Sequence, residues 1–133
     1  MSTLRWIGGL ATLAFAVVLP GCGKRPAPAP VVLGANAERG KVALRQYGCG
    51  ACHTIPGVVG ARGLVGPPLV DVGRRVYVAG VLPNDPENMV RWIMDPPAVD
   101  SKTAMPDLGV TERDARDMAE YLYHLARRGS GMR

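Results

Sequence analysis

Cys49-Gly50-Ala51-Cys52-His53 is the stretch on which this chain turns: two thiols three positions apart, followed directly by an imidazole. On a helical turn, residues three apart share a face, so both thiols address one object and the histidine stands beside it. Three chemistries use such a pair. A redox dithiol expects a strand-to-helix setting. A zinc site recruits four ligands. The third is haem attachment, in which the thiols add to two vinyl groups of one haem and the adjoining histidine takes its iron.

Working outward from the motif separates the three. Upstream, Asn36 can cap a helix whose apolar face is Val42, Ala43 and Leu44, and Gly48 can end it, which puts Cys49 at a helix end. Gly40 inside that helix costs stability relative to alanine, so a close backbone approach by another helix is the expected compensation. Downstream, residues 54–84 contain Gly57, Gly60, Gly63, Gly66, Pro67 and Pro68 and hold no sustained period. A loop of that length inside a compact domain is unusual unless it wraps something. Its one strand-like run, residues 76–82, is too short to predict a sheet. Asp85-Pro86 opens a second helix that Asp95-Pro96-Pro97 stops, with Met89, Val90, Ile93 and Met94 inward. After a loop over residues 98–110, Thr111 and Asp114 open a last helix with Ala115, Met118, Ala119, Leu122, Leu125 and Ala126 at helical spacing. The expected fold is all-α, about three main helices with long loops. No strand precedes the cysteine pair, and only Cys22 and His124 remain as further thiolate or nitrogen donors. Covalent haem through Cys49 and Cys52, with His53 on the iron, is the chemistry that fits.

The N-terminal residues point to export. Residues 1–21 carry one charge, Arg5, then an uncharged run over residues 6–19 that is short for a membrane span and interrupted by Gly8 and Gly9, so a secretory signal is expected rather than an uncleaved anchor. Leu19-Pro20-Gly21-Cys22 resembles the bacterial lipobox, with Pro20 as a departure, which makes Cys22 the expected lipidation site. Residues 22–35, with Pro26, Pro28 and Pro30 alternating with alanines, are an expected extended tether. The folded domain is expected over residues 36–129, followed by a tail at 130–133. The formal charge of +5 falls to +4 from Cys22 onward once Arg5 is set aside. Basic residues are interleaved with acids and no basic run carries stacking aromatics, so nucleic acid is not an expected partner. With one Phe and two Trp in the whole chain, a large apolar cofactor would supply core that the sequence lacks.

The second axial ligand separates an electron carrier from a protein that binds gas or peroxide. Met105 is the expected ligand: it lies in a loop between helices, Pro106 follows it, and a thioether raises the reduction potential. Met94 and His124 are the alternatives. Met89, Met94 and Met118 sit at apolar helical positions that suit core packing.

Taken in order, four motifs resemble class I cytochromes c over residues 38–125. They are the Gly40 helix leading into Cys49-Gly-Ala-Cys52-His53, then Gly66-Pro67-Pro68-Leu69, then the Trp92-Ile-Met-Asp-Pro96 helix end, and then Met105-Pro106 with Tyr121-Leu122. The resemblance implies a helical fold wrapped round one covalent haem c. It implies that Pro67 offers its carbonyl to His53, that Met105 closes the opposite face, that Trp92 packs on the haem, that Arg74 faces a propionate, and that Gly40 and Tyr121 meet where first and last helices cross. Leu44 stands where an aromatic is common. The implied role is transfer of single electrons without bond making, by a monomer, between partners such as a terminal oxidase or an upstream dehydrogenase or cytochrome complex. A fixed subunit of a membrane complex is the alternative.

Overall fold

The computed structural model describes residues 28–130, so the expected signal, Cys22 with its lipobox, the first part of the tether and most of the C-terminal tail lie outside the described residues. The element order is α1 (Ala37–Gln46), a 3-10 turn at Cys49–Ala51, a second at Val72–Arg74, a ribbon of β1 (Tyr77–Val78) and β2 (Leu82–Pro83), then α2 (Pro86–Met94), α3 (Pro96–Val99) and α4 (Glu112–Ser130). Among the described residues no helix is long and apolar enough to cross a membrane.

Each helix starts where a side chain can serve its first free N–H groups. Asn36 accepts from Arg39 N, Asp85 from Asn88 N with Pro86 in the first turn, and the Thr111 hydroxyl from Asp114 N at 3.3 Å. Asp95 does more than end α2. Its carboxylate accepts from Ala98 N, so the Pro96-Pro97 pair that stops one helix opens the short α3. After α1, Gly48 adopts φ 74, the left-handed conformation that turns the chain into the cysteine motif.

The core forms where α1 crosses α4. Ala43 and Leu44 of α1, Met89, Val90 and Ile93 of α2, and Ala115, Met118, Ala119 and Leu122 of α4 share one buried cluster, with both α1 and α2 packed on α4. Val42, expected on the apolar face, is instead 54% exposed, because it lies one position round the helix from the α4 contact. The crossing is tight at Gly40, where a Cβ would stand 1.9 Å from the Asp117 carbonyl oxygen. The partner there is α4 main chain. Tyr121, expected at this contact, reaches the loop after the cysteine motif, donating to the Pro56 carbonyl at 2.7 Å beside Gly57.

Two further features depart from the sequence reading. Residues 76–82 do pair, as a minimal antiparallel ribbon with Val78 opposite Leu82, because Ala79 and Gly80 both take positive φ (54 and 79) and close a tight turn. The packed body also begins before position 36. Val32 is buried, its N–H donates to Glu120 Oε2 at 2.7 Å, and Asn36 N donates to Asp117 Oδ1 at 2.6 Å. Arg127 links the Pro30 carbonyl to Glu120, and Arg39 grips Asp117 with two N–H groups at 2.6 and 2.9 Å. Burial alone would raise the Asp117 carboxyl, but the Arg39 guanidinium and the Asn36 N–H outweigh it and hold it below the usual carboxylate range. Residues 30–36 are thus a strap fastened to α4.

Candidate functional site

The cysteine motif is a short, tight turn: Ala51 N bonds the Gly48 carbonyl, and His53 N and Cys52 N both reach the Cys49 carbonyl. Cys49 and Cys52 are free thiols, each half-buried. Burial pushes the Cys49 thiol up, and the neighbouring Cys52 adds to the effect. One side of the turn is closed by chain: a Cβ on Gly50 would meet Ala61 at 2.7 Å, and Gly63 N donates to the Gly50 carbonyl at 3.0 Å. Among the described residues no three His, Cys, Asp or Glu side chains gather as metal ligands.

The Gly-Pro-Pro loop is laced to this turn on both sides of His53. Gly66 N donates to the Cys52 carbonyl at 2.8 Å and Leu69 N to the Thr54 carbonyl at 2.9 Å. Between them, His53 Nδ1 lies 2.8 Å from the Pro67 carbonyl. A carbonyl can only accept, so Nδ1 carries the proton and the Nε2 lone pair is left for a metal. Gly66 lies flat against the ring: a Cβ there would stand 2.3 Å from Cε1 and 2.9 Å from Nε2. The glycine is required by space, since any side chain would push the imidazole from its place.

The chain carries aliphatic side chains that the protein does not cover, some of them in the loop laced to this histidine. Leu64 and Val65 are 87% and 82% exposed, and Val70, Val76 and Leu108 are exposed as well. Leu64, Val65 and Val70 fall in the loop that carries Pro67, Val76 directly before β1, and Leu108 in the loop that carries Met105. Two free thiols, an imidazole with its second nitrogen committed and a run of uncovered aliphatics fit a flat, largely apolar iron macrocycle bound through its edge and its metal.

Met105 is half-buried in the loop before α4, its N–H donating to Thr103 Oγ1 at 3.1 Å. Met89 and Met118 are enclosed in the core, while Met94 and His124 are half-buried on α2 and α4. Trp92 is half-buried and packs against the core from α2. Arg74 lies in the Val72–Arg74 turn with its Nη1 beside the last turn of α4, 3.8 Å from where a Cβ on Gly129 would stand. It is Arg75 that turns towards the histidine loop, donating to the Pro68 carbonyl at 3.1 Å. Sequence reasoning singled out neither Arg75 nor Asn84, and gave Tyr123 only a place among core or rim aromatics, although Asn84 and Tyr123 hold the turn that carries Arg75. The available signal was Asn84 itself, a polar residue between Pro83 and the helix cap Asp85.

Over 90 residues, 67% of its length, the chain is 31% identical to the cytochrome c oxidase subunit 2 of Alkalihalophilus pseudofirmus. It spans 25% of that relative's length. No family model matches the chain.

Proposed function

We propose that this chain is a monohaem cytochrome of the class I c type, its haem c attached through Cys49 and Cys52 with His53 Nε2 and Met105 on the iron, and that it passes single electrons between respiratory partners. The observation that carries the proposal is the His53 arrangement: Nδ1 bonded to the Pro67 carbonyl at 2.8 Å with Gly66 packed flat on the ring. Bound there, the haem supplies a one-electron ferrous/ferric couple. The chain's residues do the rest. Pro67 fixes the imidazole tautomer and strengthens its donation, the two thioether links hold the group in one orientation, and the aliphatics of the loops lower the dielectric around it and exclude water. Trp92 and Arg74 complete the proposed surround.

Similarity to an oxidase subunit supports a terminal oxidase as the electron acceptor. It equally favours a second reading, a haem subunit fixed within a membrane complex. The two differ in whether the chain purifies alone or with membrane proteins. On either reading the domain works outside the cytoplasm, tethered through lipidated Cys22.

The test is the visible spectrum of chain matured in a host that attaches haem c, taken oxidised, reduced, and reduced under carbon monoxide. A closed electron carrier shows no carbon monoxide shift, and Met105→Ala creates one. A wild-type carbon monoxide complex would instead support a gas- or peroxide-binding protein.

A further inference from the structure

A polar chain runs from the core to the histidine loop. It starts at Tyr123, fully buried in α4, whose phenol is pushed up by burial and by the facing carboxylates Asp85 and Glu87 and so stays a donor. Its hydroxyl donates to Asn84 Oδ1 at 2.8 Å. Asn84 Nδ2 donates to the carbonyls of Val72 and Arg75, both at 2.8 Å, and Asn84 N to the Val76 carbonyl at 2.9 Å. The turn over residues 72–76 is thereby pinned at three carbonyls by one side chain and its own amide. Gly73 fits beneath it only for want of a Cβ, which would meet Tyr123 Cδ1 at 2.8 Å. From the pinned turn, Arg75 Nη2 reaches the Pro68 carbonyl.

That carbonyl matters because of its neighbour. The peptide before it carries the Pro67 oxygen that accepts from His53. Pro68 has its φ locked by the ring, and Pro67, preceding a proline, is confined to extended conformations. Holding the Pro68 carbonyl therefore removes the main remaining rotation by which the Pro67 oxygen could leave the imidazole. We propose that Asn84 and Arg75 are positioning residues for His53: the relay from Tyr123 through Asn84 and Arg75 to Pro68 fixes the Pro67 carbonyl and so the strength of the His53 Nδ1–H bond. The inference rests on the function proposed above, in which that bond tunes the axial ligand.

The test compares haem-loaded wild type, Asn84→Ala, Arg75→Met and Arg75→Lys, reading the exchange rate of the His53 Nδ1 proton in the reduced protein by NMR and the midpoint potential. Loss of the pin lets the Nδ1–H bond open more often, so exchange quickens by about tenfold in Asn84→Ala and about threefold in Arg75→Met, the scale of one weak hydrogen bond. Arg75→Lys, which keeps a donor and the charge, stays within about twofold of wild type. Asn84→Ala changes no charge, so its potential isolates the ligand effect. A looser bond makes the imidazole a poorer donor to ferric iron, and the equilibrium moves about threefold towards the ferrous form, again the scale of one weak hydrogen bond. Asn84→Ala will also melt lower, which a purely structural residue would do; the exposed Arg75 provides the variant that need not. Exchange unmoved in both Asn84→Ala and Arg75→Met, in chain with a normal haem spectrum, overturns this inference alone. Chain that takes up no haem overturns the proposed function and this inference together.

Discussion

Where α1 crosses α4, Ala115, Met118 and Ala119 are fully enclosed and even the carboxylates of Asp117 and Glu120 are buried with every visible bond made. In the loop laced to His53, in the same small body, Leu64, Val65 and Val70 stand open, and Cys49 and Cys52 are free thiols. The crossing is complete by protein contacts alone. The His53 loop is held just as firmly in its main chain, through the Gly66, Leu69 and Gly63 amides, yet its Leu64, Val65 and Val70 side chains stand exposed. The contrast separates a part of the chain built to be a frame from a part built to receive something.

Changes at Gly40 should damage the frame most. Gly40→Ala drives a Cβ into α4 main chain, which cannot swing aside as a side chain can. The helices must part, at a cost of about 3 kcal/mol or more, and thermal melting should show a chain barely folded with or without haem. Gly66→Ala strikes the other region. Overpacking by one methyl costs about 1–3 kcal/mol, but it falls on the His53 ring. The helical circular dichroism should persist while the haem spectrum loses its low-spin form.

Asp117→Asn loosens the strap and sharpens the comparison through pH. The removed charge-assisted bonds are worth about 1–3 kcal/mol. Because the folded Asp117 carboxyl is depressed, its contribution is fully present above the unfolded value of about 3.9 and is lost as pH falls through the lower folded value. Melting temperatures measured downward from about pH 4 should therefore fall more steeply for wild type than for Asp117→Asn. The smallest effect belongs to Ala79→Gly. Ala79 holds φ 54, and relieving it stabilises the ribbon by about 0.5–1 kcal/mol, read as a small rise in melting temperature.

The helices could be foreseen because their signals are local. Asn36, Asp85 and Thr111 each cap an amide three residues on, and the apolar positions Ala115, Met118, Ala119, Leu122 and Ala126 of α4 are all buried. The close approach at Gly40 was likewise visible as a glycine costing helix stability without local reason. The strap was not, because Val32, Pro30 and Asn36 meet partners more than eighty positions off and their main-chain groups leave no pattern in side-chain type. The ribbon was missed because it depends on an alanine in a conformation normally left to glycine. At the site, the cysteine spacing and Gly66-Pro67 were readable, whereas Arg75 and Asn84 act through carbonyl oxygens that any sequence would supply.

The most direct measurement is the intact mass of the purified chain after acid-organic extraction, for wild type and for Cys49→Ser with Cys52→Ser. The account predicts that wild type keeps the added mass of one haem through extraction and that the double variant does not. Wild type that surrenders its haem to extraction, or never carries one, would contradict it.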